Sequence, residues 1–222
     1  MRPSIVAIDG PSGAGKGTVA RAVARRLGYR HIDTGAMYRA VAWKAVQESV
    51  PLDDEEKVAA LASRVRLEVG DGVITVDGQD VAEAIRTPEI DAAATKVARQ
   101  PRVREVLIAL QRRLGEAGGV VMEGRDIGTV VFPQADLKVF LDASPDERAR
   151  RRASDPAHAA GRGGAAVHDI ASALEARDHS DRTRAASPLM QAPDAIAIDT
   201  TGMTIDQVVD QIMNRIKSWG IR

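Results

Sequence analysis

The chain has 222 residues, 31 basic and 31 acidic side chains for a formal net charge of zero, and no cysteine. That length suits one domain with a large core and room for insertions. Balanced charge argues against a dedicated nucleic-acid or membrane-surface protein, both of which need a broad field of one sign, and the missing cysteines exclude disulfides and thiolate chemistry.

The first apolar run, Ile5 to Ile8, is too short for a signal segment or a membrane span, and no other run approaches that length. A soluble cytoplasmic monomer acting on small molecules is expected, with no nucleic-acid or membrane partner. Ser4 to Asp9 reads as a buried strand running into a glycine-rich turn. Lys16 to Leu27 reads as a helix, with Val19, Val23 and Leu27 on one face and Gly28 as its stop. His31 to Asp33 is a short strand, after which Thr34 is expected to cap a helix carrying Met37, Val41 and Ala45. Asp53 and Glu56 have capping-box spacing ahead of a helix through Leu61 and Val65.

Arg66 to Val81 then alternates polar and apolar residues around Asp71-Gly72 and Asp77-Gly78, the strongest short hairpin signals. This antiparallel piece reads as an insertion in a chain that otherwise alternates strand and helix. Thr87-Pro88 and Pro101 open two further helices, the second ending near Gly118-Gly119. Val120 to Met122 and Leu137 to Leu141 are strands. Ser144-Pro145-Asp146-Glu147 caps the next helix, and "AHAAGRGGAA" (157–166) reads as a mobile loop. Ala195 to Ile198 is the last strand, and Thr204 with Gln207 caps the last helix. Strands alternating with helices imply a parallel sheet covered on both faces.

The stretch "IDGPSGAGKGT", Ile8 to Thr18, carries the sharpest chemistry. Gly10-x-x-x-x-Gly15-Lys16 between a strand and a helix is a phosphate-binding loop: inward-turned amides and a helix N-terminus surround phosphate oxygens, and Lys16 adds a full charge. The position after the lysine usually carries Ser or Thr, yet Gly17 stands there and the hydroxyl comes on Thr18. A guanine-reading switch would need Asn-Lys-x-Asp, but the only asparagine is Asn214, followed by Arg215. Asp199 to Gly202 has the D-x-x-G spacing of such switches and reads more simply as a strand end entering a helix cap. The alternative is phosphoryl transfer, which needs many cations around two phosphate groups. Only six of the 31 basic residues are lysine, and arginine makes planar two-pronged contacts with phosphate. Arg39, Arg125, the run Arg148, Arg150, Arg151 and Arg152, and the group Arg177, Arg182 and Arg184 around Asp181 all fit, although the run alone also fits a solvated helix face.

Seven stretches in order, "IDGPSGAGKGT", "DTGAMYR", "IRTPEI", "PRVRE", "EGRDIGTVVFP", "FLDASPDERARRR" and "RDHSDRTRAASPL", make the whole chain resemble the bacterial cytidylate kinases. The resemblance implies a three-layer P-loop NTPase fold with a parallel sheet, a small inserted antiparallel acceptor-binding subdomain (about 66–100) and a mobile lid (about 148–166). It implies transfer of the γ-phosphoryl of ATP to CMP or dCMP with Mg2+. Gly10, Pro11, Ser12, Gly13, Ala14, Gly15, Lys16, Gly17 and Thr18 would hold ATP. Thr34, Arg39, Arg125 and Arg184 would hold the acceptor's phosphate. Thr95, Arg104 and Asp126 would read the cytosine, and Arg177 and Asp181 would contact the sugar. Lys16, Arg125 and Arg184, with the lid residues Arg148 and Arg152, would stabilise the transferring group. Thr34 and Glu123 depart from the family's commoner Ser and Asp. Glu123 and Asp33 are outer-sphere candidates for the metal. A kinase for another nucleoside monophosphate or a small hydroxyl acceptor is the neighbouring reading.

Overall fold

The structure is a computed structural model that describes residues 3–70, 72–155 and 167–220. The expected lid loop at 157–166 therefore lies outside the described residues, as does Asp71 of the first hairpin turn.

Five parallel strands form the central sheet: β1 (Ile5–Asp9), β2 (Arg30–Asp33), β6 (Val120–Gly124), β7 (Leu137–Asp142) and β8 (Ile196–Asp199). Their spatial order is β2-β6-β1-β7-β8. All five residues of β1 are buried, because each face of the sheet meets its own layer, as parallel strands require. Val6 and Ile8 pack with Val19 and Val23 of α1 (Lys16–Leu27) and with Val209 and Ile212 of the last helix, α8 (Ile205–Ser218). Ile5 and Ala7 face the other way, towards Met122, Ile127, Val131 and part of α5 (Pro101–Gly115).

The remaining α-helices among the described residues are α2 (Thr34–Gln47), α3 (Glu55–Arg64), α4 (Pro88–Val97), α6 (Pro145–Ala153) and α7 (Val167–Thr183). The expected antiparallel piece is a three-stranded sheet of β3 (Leu67–Gly70), β4 (Val73–Val76) and β5 (Gln79–Asp80). Asp77 (φ 52°) and Gly78 (φ 84°) turn β4 into β5 in the left-handed conformation that Asp-Gly tolerates. Ile74 and Val76 of this sheet share a core with α2, α3, α4 and α5, so the insertion is welded to the main body through side chains.

Several helix starts differ from the sequence expectation. Asp33, not Thr34, caps α2: its carboxylate accepts from the Ala36 amide at 3.0 Å. Thr34 is drawn off because its hydroxyl donates to the Glu123 carbonyl at 2.7 Å. Asp54, not Asp53, caps α3 through the Lys57 amide. Helix α5 stops at Gly115 rather than near Gly118, where positive φ values at Gly118 and Gly119 turn the chain into β6. Thr87, Ser144 and the Thr204–Gln207 capping box start their helices as the sequence predicts.

Candidate active site

Parallel strands deliver their C-terminal residues to one edge of the sheet, and the register decides which ones meet. Asp9 lies beside Gly124 and Asp33 beside Glu123. Helices and loops follow each strand there, and a cavity of about 710 Å³ opens above this edge.

The phosphate-binding loop forms one end of the cavity. Gly10 enters it at φ 148°, and a β-carbon there would overlap the Leu141 carbonyl oxygen of β7 at 2.0 Å. Only glycine lets the loop leave β1 this close to its neighbour. Residues Ser12 through Thr18 line the cavity, whereas Gly10 and Pro11 do not. The Lys16 ammonium donates to the Pro11 carbonyl at 2.6 Å. Burial, and then Arg125, push its pKa down to about 7 against the pull of Glu123 and Asp178. An anion placed in the loop would restore that charge.

Asp9 is buried under the same loop. It accepts from the amides of Ile127 and Gly128 at 2.8 and 2.7 Å, while burial pushes its carboxyl up to about 6. It thereby ties the strand before the loop to the π-helical turn Ile127–Val131 that follows Arg125 and Asp126.

Glu123 and Gly17 fit together. A β-carbon on Gly17 would stand 3.0 Å from the Glu123 Oε1, the same oxygen that His31 Nε2 meets at 3.0 Å. The longer acidic arm occupies the space that a side chain after the lysine would need. Asp33 is tied up differently. Burial alone would raise its carboxyl, but Arg39 and the Ala36 amide outweigh burial and hold it below the ordinary range.

The other end of the cavity is an arginine–aspartate lattice. Asp126 receives the guanidinium of Arg104 and stands 3.5 Å from Arg184 Nη2. Arg104 and Arg184 are 2% and 4% exposed, so their charges depend on these partners. Arg104 also lies over the Tyr38 ring at 5.3 Å, and burial pushes the Tyr38 phenol up to about 12. Asp181 accepts from Arg125 Nε at 2.9 Å and stands 3.6 Å from Arg184 Nη1. Thr34, Arg39, Thr95, Arg104, Arg125, Asp126, Arg177, Asp181 and Arg184 all line this one cavity, together with Lys16, Asp33 and Glu123.

The run at Arg148–Arg152 divides by helical face. Arg148 does not line the cavity: its guanidinium is bound to Asp178, the Ser12 carbonyl and the Ala143 carbonyl. It braces the phosphate loop from behind. Arg152 does line the cavity and donates to the Ser12 hydroxyl at 2.8 Å, with Nη1 buried and without a hydrogen-bond partner among the described residues. Arg151, to which the sequence pattern gives no special role, also lines it. Glu147 and both the hydroxyl and carbonyl of Thr200 hold it in place. Thr200 follows β8, and Met203 to Ile205 complete the wall beside Arg21. The "DTTG" stretch is thus a strand end leading to a helix cap whose first threonine orients an arginine. Asp91 is the other residue the sequence reading passed over; its single oxygen Oδ1 accepts from Arg39 Nε at 2.8 Å and Arg177 Nη1 at 3.3 Å.

A glycine loop with a buried lysine thus forms one end of the cavity, and a buried arginine–aspartate lattice forms the other. The family model for cytidylate kinase matches residues 6–218. The chain belongs to the cytidylate kinase family. It is 49% identical to a cytidylate kinase of Solibacter usitatus (strain Ellin6076), over 96% of this chain and 92% of that protein. A cytidylate kinase of Desulfitobacterium hafniense (strain Y51) is 48% identical over 94% and 90%. Among solved structures, a shikimate kinase of Bacteroides thetaiotaomicron superposes with a TM-score of 0.51 at 14% identity, covering 96% of this chain and 98% of that one. That likeness concerns the fold alone and agrees with a P-loop kinase architecture built on a mostly parallel sheet. As a family member the chain is a kinase acting on nucleotides. No described helix is long and apolar enough to cross a membrane.

Proposed function

We propose that this kinase transfers the γ-phosphoryl of ATP to CMP or dCMP, giving ADP and the cytidine diphosphate, by direct in-line attack of the acceptor phosphate. The observation that carries the reading is the buried Arg104–Asp126–Arg184 group in the same cavity as the phosphate loop. A cytosine edge offers an amino donor beside acceptors, and an aspartate next to an arginine complements that pattern. Uracil carries a carbonyl where cytosine has its amino group, and adenine, which shares the amino donor and ring acceptor, lacks cytosine's O2 acceptor and is a larger ring system.

In this reading ATP lies on Ser12 to Thr18, with its triphosphate against Lys16 and its remaining bulk along Arg151, Thr200 and Met203. The acceptor phosphate lies among Thr34, Arg39, Arg125 and Arg184, the base reaches Thr95, Arg104 and Asp126, and the sugar lies near Arg177 and Asp181. The segment about 66–100 would serve the acceptor side, and the segment about 148–166 would serve the donor side through Arg151 and Arg152 of its described part. Lys16, Arg125, Arg152 and Arg184 supply the positive field in which charge spreads during transfer. Arg148 acts through the loop it braces.

The chain's oxygen donors suit Mg2+, which when bound would neutralise charge on the transferring phosphates. Among the described residues no group of three or more potential metal ligands occurs; in this reading the nucleotide's own oxygens and water would supply most of the coordination. Of the two outer-sphere candidates, Glu123, beside Gly17, would be the carboxylate free to assist the hydrated ion, since Asp33 is committed to capping and to Arg39.

A panel of nucleoside monophosphates with ATP tests the reading. CMP and dCMP should be converted at least 100-fold more efficiently than AMP or GMP, a ratio within what a hydrogen-bonding base pocket delivers. Efficient turnover of AMP or UMP with none of CMP would sink it.

A further inference from the structure

Asp91 stands at a junction that the reaction scheme leaves unused. It lies in the first turn of α4, and its Oδ1 ties α4 to Arg39 of α2 and to Arg177 of α7. Both arginines line the main cavity; Asp91 does not, and instead lines a second, smaller cavity behind them with Pro88, Ile170 and Leu174. Its side chain is 28% exposed, against 11% for Arg39 and 18% for Arg177. Although burial opposes it, the two guanidinium groups hold Asp91 well below the usual carboxylate range, so the carboxylate is ionised at any working pH. Beyond those bonds the terminal nitrogens of Arg39 and Arg177 make no further hydrogen bond among the described residues.

The local balance shows what this carboxylate does. Asp126 and Asp181 neutralise part of the charge of Arg104, Arg125 and Arg184. Arg39 and Arg177 share Asp91 as the carboxylate bonded to both, while Asp33 also faces Arg39 and Asp181 also faces Arg177. Arg177 carries the strain of this crowding: burial, then Arg39 and Arg125, lower its pKa to about 10, and Asp91 works against that fall. A dianionic phosphate arriving at Arg39 enters the field of a negative charge already bonded to the same guanidinium.

We propose that Asp91, held between Arg39 and Arg177, is an internal counter-anion that competes with the acceptor's phosphate for Arg39, and so sets the acceptor's affinity. The proposal rests on the reading that the acceptor phosphate binds at Arg39. With Asp91 in place the two arginines are held together and partly neutralised, so the acceptor binds weakly enough for its diphosphate product to leave. Without the charge, phosphate groups bind more tightly and leave more slowly. Asp91 is therefore an affinity-setting residue behind the site, touching the arginines rather than the reacting atoms.

The test compares Asp91→Asn and Asp91→Ala with the parent protein in steady-state kinetics and in calorimetric titration with inorganic phosphate. Removing one charge at this range should lower the acceptor KM and the inorganic phosphate Kd about tenfold. The ATP KM should stay within about twofold, and kcat should fall where product release limits turnover. Thermal melts establish that each variant is folded; where Asp91→Ala is not, Asp91→Asn, which keeps the shape, decides. An acceptor KM that rises, or stays unchanged, in the folded variants would overturn the proposal and make Asp91 a mere brace. The phosphate titration separates this failure from failure of the function itself. If the parent does not phosphorylate CMP at all but the variants still bind phosphate more tightly, the functional reading falls and the counter-anion stands.

Discussion

A β-carbon on Gly17 would come within 3.0 Å of Glu123 Oε1, and that oxygen is already engaged by His31 at 3.0 Å. Glycine after the P-loop lysine and glutamate at the end of β6 are therefore two halves of one spatial solution. The longer acid fills what a hydroxyl-bearing residue would fill, and Thr18 carries the hydroxyl one position on.

Gly17→Ser should therefore fail alone and be rescued by shortening its neighbour. We expect Gly17→Ser to lower kcat/KM for ATP about tenfold, and Gly17→Ser with Glu123→Asp to recover most of it. That corresponds to a coupling of about 1 kcal/mol in a double-mutant cycle. Additive losses would show that the two side chains do not share space.

Asp126→Ala should damage acceptor selection and stability together. It leaves Arg104 and Arg184 buried without their shared carboxylate, a defect that costs about 3–5 kcal/mol. Asp126→Asn, which keeps an acceptor oxygen, should unfold at an intermediate temperature. In both, the acceptor KM should rise far more than the ATP KM. Equal loss for both substrates would move Asp126 to the donor side.

The arginines of α6 should separate by readout. Arg148→Ala strands the buried Asp178 and should lower unfolding stability by about 3 kcal/mol. Arg152→Ala should melt near the parent's temperature but lose at least tenfold in kcat, as expected for a group stabilising transferred charge. Arg151→Ala should raise the ATP KM and leave the acceptor KM unchanged. Parent-like turnover in Arg152→Ala would remove it from the transfer site.

Lys16 makes donor binding depend on protons. Its pKa in the folded, ligand-free chain is about 7, against 10.5 for an ordinary lysine. Between those values the unfolded chain holds the extra proton, so this group's contribution to stability rises with pH across that window. Binding of a triphosphate restores the charge. At pH 8 ATP binding should take up most of one proton, seen as a binding enthalpy that varies with the buffer's ionisation enthalpy. Lys16→Met should abolish the uptake; a buffer-independent enthalpy in the parent would contradict it.

Much of this protein is legible from local order in the chain. Apolar Ile5 to Ile8 followed by a glycine loop and an amphipathic helix specifies strand, turn and helix, because those signals lie within one or two turns of each other. Pro88, Pro101 and Pro145 mark their helix starts, since a residue without an amide proton belongs in the first turn. The order of the seven stretches carried the family. Three-dimensional packing decided what local order could not. Asp33 took the cap of α2 because β6 ran alongside and offered the Glu123 carbonyl to Thr34. Arg148 turned inward and Arg151 and Arg152 towards the cavity because the helical period assigns neighbours in sequence to different faces. Asp91 became the partner of Arg39 and Arg177 only when α2, α4 and α7 met, 52 and 86 positions apart along the chain. A sequence states which charges are available; which of them neutralise one another depends on distance through space, and that is settled by the fold.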